Sequence, residues 1–131
     1  MSILTHDRVA WVQCVREVRL GVADPAWHDA IAFYHELLGL PLWPREAHPP
    51  GAVGLGSRRC GLLLERRHHC TPEPNRRRLS VVVSGLSALQ ERLTEAGRAV
   101  QVVQGLSHCD RRLLTHDPAG HLIELRGTIP F

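Results

Sequence analysis

The sequence predicts an α+β fold built from two tandem βαβββ modules, and three observations carry the prediction. The first is an internal repeat: laying Val22 on Val83 carries Glu17 onto Arg78, an offset of 61 residues, and the helix-ending glycines Gly39 and Gly97 stand 58 apart. The second is the order of elements, which runs strand, helix and three strands and then starts again. The third is Thr71-Pro72-Glu73-Pro74-Asn75, where two prolines in three residues oppose both helix continuation and ladder pairing. One domain over residues 1–131 is expected, with module 1 over about 11–67, a linker over 70–76 and module 2 over about 77–127. Each module alone leaves one sheet face bare, so the two are expected to form a curved, eight-stranded mixed sheet around a cleft, helices outside.

The first strand is expected from near Trp11 to Val22. Within it Val18, Leu20 and Val22 alternate with Glu17, Arg19 and Gly21, so a period of two separates an apolar face from a charged one. Asp24 is placed to cap the next helix through its carboxylate, and Pro25 suits a first helical position. Trp27, Ile31, Tyr34 and Leu38 recur at helical spacing, and Gly39 with Pro41 ends the helix. A short strand over 42–46 containing Trp43 follows, then a turn at His48-Pro49-Pro50-Gly51 and a hairpin over 52–56 and 61–66.

Module 2 repeats the scheme. Residues 79–83 read as a β-branched strand, Leu86, Leu89, Leu93 and Ala96 mark a helix that stops at Gly97, and strands follow over 99–104, 110–116 and 121–126. Asp117-Pro118-Ala119-Gly120 reads as a tight turn with proline at its second position.

Composition narrows the classes. The formal charge of +3 favours anionic small molecules over cationic ones and is too small to indicate nucleic acid. The arginine runs 66–67, 76–78 and 111–112 lack interleaved aromatics and read as solvated edges. Cys14, Cys60, Cys70 and Cys109 show no C-x-x-C spacing, so the thiols are expected to be reduced and mostly buried. His68 and Cys70 share a strand face but have no further ligands at metal spacing, and His116 and His121 flank the last turn as expected surface groups. With no apolar run near the ~20 residues that span a bilayer, a cytoplasmic location without membrane contact is the expectation.

The stretches Val22-Ala23-Asp24-Pro25, residues 32–40 (AFYHELLGL) and residues 117–125 (DPAGHLIEL) resemble the vicinal oxygen chelate superfamily, the group of glyoxalases, bleomycin-resistance proteins and extradiol dioxygenases. The likeness spans about residues 11–127. It is specific for the fold and not for one reaction, because that fold hosts isomerases, lyases, dioxygenases and drug binders. The resemblance implies four cleft-facing positions that hold a divalent metal in many members. Here they fall on Glu17, Arg78, Glu124 and, through the repeat offset, on or near Leu63, with Glu65 two residues later on the same strand face.

A guanidinium offers donors only and repels a cation, so Arg78 disfavours metal; if one is bound, Glu17 and Glu124 are the ligands. Otherwise Arg78 bridges the two carboxylates. No cofactor is predicted. Glu124, alternating with Ile123 and Leu125, and Glu17 are the candidate catalytic bases. Arg78, Arg19, Ser80 and Trp43 are the candidate ligand-binding residues, the last as a flat apolar wall. The expected function is binding of a small organic ligand, with an anionic one favoured, in the cleft of a homodimer; metal-independent lyase or isomerase chemistry is left open. The alternative is non-catalytic binding of the antibiotic-resistance type.

Overall fold

The computed structural model describes residues 17–43, 51–57, 61–68, 78–106 and 111–127. Among these residues, seven strands fall into two mixed sheets. Strand β1 (Glu17–Ala23), β2 (Ala52–Gly56) and β3 (Gly61–Arg67) form the first in the order β1-β3-β2. The second contains β4 (Arg78–Val83), β5 (Gln101–Gln104), β6 (Arg111–His116) and β7 (Leu122–Gly127), ordered β4-β7-β6-β5. The first and last strands of each module pair in parallel, which requires the helical crossover between them, while the remaining neighbours are antiparallel.

The repeat is preserved down to register. Glu17 lies opposite Gly61 and Arg78 opposite Leu122; one step inward, Arg19 lies opposite Leu63 and Ser80 opposite Glu124. The same offset of 61 that aligns the sequences therefore aligns the pairing.

Alternation sorts these strands as their sequences demand. Leu20, Val22, Leu64, Ile123, Leu125 and Leu113 point to the helix side and are fully buried, in one continuous core with Trp27, Phe33, Tyr34, Leu89 and Leu93 from the helices. The helix of module 1 opens with a 3₁₀ turn (Asp24–Ala26), continues as α1 (Trp27–Ile31) and widens into a π-helical stretch (Ala32–Leu37). The wider turn accompanies the burial of two adjacent aromatic rings, Phe33 and Tyr34, packed edge to face with centroids 5.0 Å apart. Helix α2 (Leu86–Glu95) is regular and buries Leu89 and Leu93.

Two tethers join the halves on this side. Arg92 of α2 donates to the carbonyls of Glu36 and Leu37, which lack intrahelical partners at the end of the π-helical stretch. Tyr34 donates its hydroxyl to Asp117 Oδ2 at 2.5 Å. Burial above all, and then the Asp117 charge, push the phenol far up, so it remains a donor.

Three expectations change. Asp24 makes no side-chain cap; it lies inside the 3₁₀ turn, and its carboxylate accepts from Arg66 at 2.6 Å and contacts His68 at 3.0 Å. Those two partners, Arg66 first, hold its carboxyl below the ordinary value. The strand expected over 42–46 is, within the described residues, a single antiparallel bridge from Leu42 to Leu55. His116 is exposed as expected, but His121 is 3 % exposed, with Nε2 2.9 Å from the Gly21 carbonyl across the module boundary. A turn residue that reaches the other module is buried by it, which turn chemistry alone does not foretell. The strand start near Trp11, the linker, Cys14, Cys60, Cys70 and Cys109 lie outside the described residues.

Candidate functional site

Among the described residues, helices cover one face of the second sheet and none covers the other, the open face. Register fixes what the open face carries: Arg78, Ser80 and Val82 from β4, Leu122, Glu124 and Arg126 from β7, and Arg112 and Leu114 from β6. Strand β6 shows the sorting directly. Arg111 turns to the helix side, donating to Ser87 and Gln90 of α2, while the adjacent Arg112 turns the other way.

Glu124 is the centre of this face. It is 5 % exposed, yet its carboxylate is held by three donors: Ser80 Oγ on Oε1 at 2.9 Å, Arg78 Nη2 on Oε2 at 2.9 Å and Arg112 Nη1 on Oε2 at 3.2 Å. The donors come from both neighbouring strands, so ladder pairing itself brings them together. The Ser80 hydroxyl first, and then the Arg78 and Arg112 guanidiniums, hold the Glu124 carboxyl below the ordinary value, against the opposing effect of burial. Arg78 differs from Glu124 in its surroundings: its side chain is 60 % exposed. One end of the pair is a buried anchor and the other faces solvent.

The sequence-predicted residues divide accordingly. Arg78, Ser80 and Glu124 come together as one hydrogen-bonded group. Arg19 is exposed on the corresponding face of the first sheet, opposite Leu63. Trp43 is half-buried; its N–H donates to the Gly54 carbonyl at 2.9 Å, and strand alternation from the Leu42 bridge sets it on that same face. The Glu17 backbone pairs with Gly61, and its side chain, with the bridge expected from Arg78 to it, lies outside what the structure describes. Arg112 and Arg126 were missed as site residues. The signal was available in the strand period, since both fall on the parity of Glu124 once β6 and β7 are put in register.

The four positions at which the fold family holds a metal can be tested by donor chemistry. The repeat equivalent of Glu124 is Leu63, 1 % exposed, whose side chain has no lone pair to give. Arg78 has none either, and Glu124 already accepts three hydrogen bonds of the roughly four its two oxygens can take. Neither Leu63 nor Arg78 can ligate a divalent cation and Glu124 has little capacity left to do so, while Glu65 lies two residues beyond Leu63 and the Glu17 side chain is outside the described residues. His68 is exposed and engaged with Asp24. A separate hollow of about 340 Å³ lies on the helix side, lined by Phe33, Leu37, Ala96, Arg98 and Pro118 among others. Glu124 is not among its lining residues, and the convergence of polar groups marks the candidate site.

Comparison with known proteins agrees with this geometry. The model of a family described as the glyoxalase-like domain matches residues 18–126. No curated protein matches the chain. Among solved structures, a glyoxalase/dioxygenase from Nostoc punctiforme is 18% identical, with a TM-score of 0.74, covering 99% of each chain. A lactoylglutathione lyase from Agrobacterium tumefaciens is 19% identical with a TM-score of 0.68, over 88% of this chain and 94% of the other. An antibiotic binding protein from Streptomyces sp. CB03234 is 22% identical with a TM-score of 0.71, over 92% of this chain and 100% of the other. At such identities the likeness is one of fold.

Proposed function

The chain belongs to the glyoxalase-like domain family, and from that premise we propose that it binds a small organic anion on the open face of its second sheet, without a divalent metal. The observation that carries the reading is the state of Arg78: one nitrogen is anchored on the buried Glu124 carboxylate while the side chain stays 60 % exposed. A guanidinium fixed at one edge presents its other N–H groups in a set direction, which suits a carboxylate or phosphoryl oxygen. In this reading Ser80 and Glu124 set the position of Arg78, and Arg19 and Trp43 border the ligand from the first sheet.

A lactoylglutathione lyase and an antibiotic binding protein both share this fold, so the fold does not choose between catalysis and sequestration. The state of Glu124 favours binding. A carboxylate that already accepts three hydrogen bonds, and whose pKa is lowered, is a weak base. Lyase or isomerase chemistry would draw its base from Glu17 instead.

Titration calorimetry with benzoate as the probe and benzyl alcohol as its uncharged counterpart tests the proposal. Wild type should bind benzoate in preference to benzyl alcohol, and Arg78→Gln should lose about tenfold or more in affinity, the scale of one hydrogen bond to a charged group. Equal affinity for the two probes, or an Arg78→Gln variant that binds benzoate undiminished, would overturn it.

A further inference from the structure

The charge on the open face exceeds what one carboxylate neutralises. The four strands of the second sheet contain a single acidic residue, Glu124, and four arginines. Arg111 faces α2, so among the described residues three guanidiniums, those of Arg78, Arg112 and Arg126, share a face with one carboxylate. Arg126 lies directly opposite Arg112 in the β6–β7 ladder and beside Val82 of β4, which is 67% exposed. Like charges directly opposite in an antiparallel pair destabilise it. Arg112 turns toward Glu124, and Arg126 remains exposed at the end of the row.

We infer that this face selects a head group carrying two negative charges on one centre, such as a phosphate monoester, over a monoanion. The inference rests on the anion-binding reading above and goes further in naming the charge state and a second specificity residue. Two guanidinium nitrogens, from Arg78 and Arg112, converge on the same Glu124 oxygen, so both cations are held at one spot on the sheet. Arg126, two residues beyond Glu124 on β7, extends the positive surface by one strand pleat. A monoanion is satisfied by Arg78 at its exposed edge; Arg112 is engaged on Glu124, so a second charge draws on the exposed Arg126 opposite it. Arg126 is therefore a specificity residue, and Glu124 a positioning residue for the pair beside it.

The experiment compares phenyl phosphate, a dianion at pH 8, with benzoate, a monoanion of similar body, by titration calorimetry at one ionic strength. Wild type should bind phenyl phosphate about tenfold more tightly, Arg126→Gln should bring the two probes to within about threefold, and Arg126→Lys should keep most of the preference. Because Arg126 is exposed and the readout is a ratio, a general loss of stability would not mimic this result. Equal binding of both probes to wild type would overturn the dianion inference while leaving the anion reading intact. A preference that survives in Arg126→Gln would remove Arg126 from it. Binding of neither probe would overturn both proposals together.

Discussion

Glu124 is where sequence and geometry part most usefully. Strand parity alone places a carboxylate on the open face, and the same parity, applied to β4, brings Arg78 and Ser80 beside it. What parity does not show is how many donors the carboxylate accepts. Arg112 belongs to an adjacent arginine pair whose two members face opposite sides, so its role becomes legible only when the β6–β7 register is known. The lowered Glu124 pKa makes a stability prediction with a definite sign. A carboxyl whose folded-state pKa lies below its unfolded value stabilises the fold above the unfolded value, and that contribution disappears as pH falls through the folded one. Replacing Glu124 by Gln should therefore lower the melting temperature most near neutrality. The gap from wild type should narrow as pH falls from about 6 to about 3. Asp24, shifted the same way, is present in both proteins and cancels from the difference. A gap that is constant with pH would show that the carboxylate is not held as the three hydrogen bonds imply.

Among the elements, those bounded by backbone chemistry were the most legible. Gly39 and Gly97 were read as helix stops, and both have positive φ, +81° and +76°. The helix start was read less well because Asp24 has two outlets for its carboxylate. Capping competes with a cation, and Arg66 and His68 on the far strand end take both oxygens. The π-helical widening has no sequence cue of its own; it is a tertiary response to burying Phe33 and Tyr34 together. Gly97 allows the conformational term to be isolated, since a Cβ there would meet nothing within 4 Å. Gly97→Ala should cost about 1–2 kcal/mol in urea unfolding, from left-handed backbone strain alone. A neutral or stabilising result would mean that the chain after α2 leaves helix by another conformation.

At the scale of the molecule, the repeat was the strongest signal in the sequence, because the parallel pairs of one module have counterparts at the same offset in the other. The contacts between modules were not legible, since they join positions that the repeat does not relate. Tyr34 was read as one of a helical repeat and Asp117 as part of a tight turn, and each is also half of a buried hydrogen bond linking α1's extension to the β6–β7 turn. Asp117 uses its other oxygen to accept from the N–H groups of Ala119 and His121, so one carboxylate shapes the turn and fastens it to module 1. The His121 ring adds a second link to the Gly21 carbonyl. Tyr34→Phe removes only the hydroxyl and leaves Asp117 Oδ2 without that donor in a buried site, an omission that should cost about 1–3 kcal/mol in urea unfolding. Glu124 begins only three residues after His121, but its own position is set by pairing on both sides, to Ser80 and to Leu114. The variant should accordingly bind benzoate with wild-type affinity at temperatures well below its melting point. If affinity falls together with stability, the open face of the second sheet depends on its docking to module 1, and the binding site is a property of the joined pair and not of one sheet.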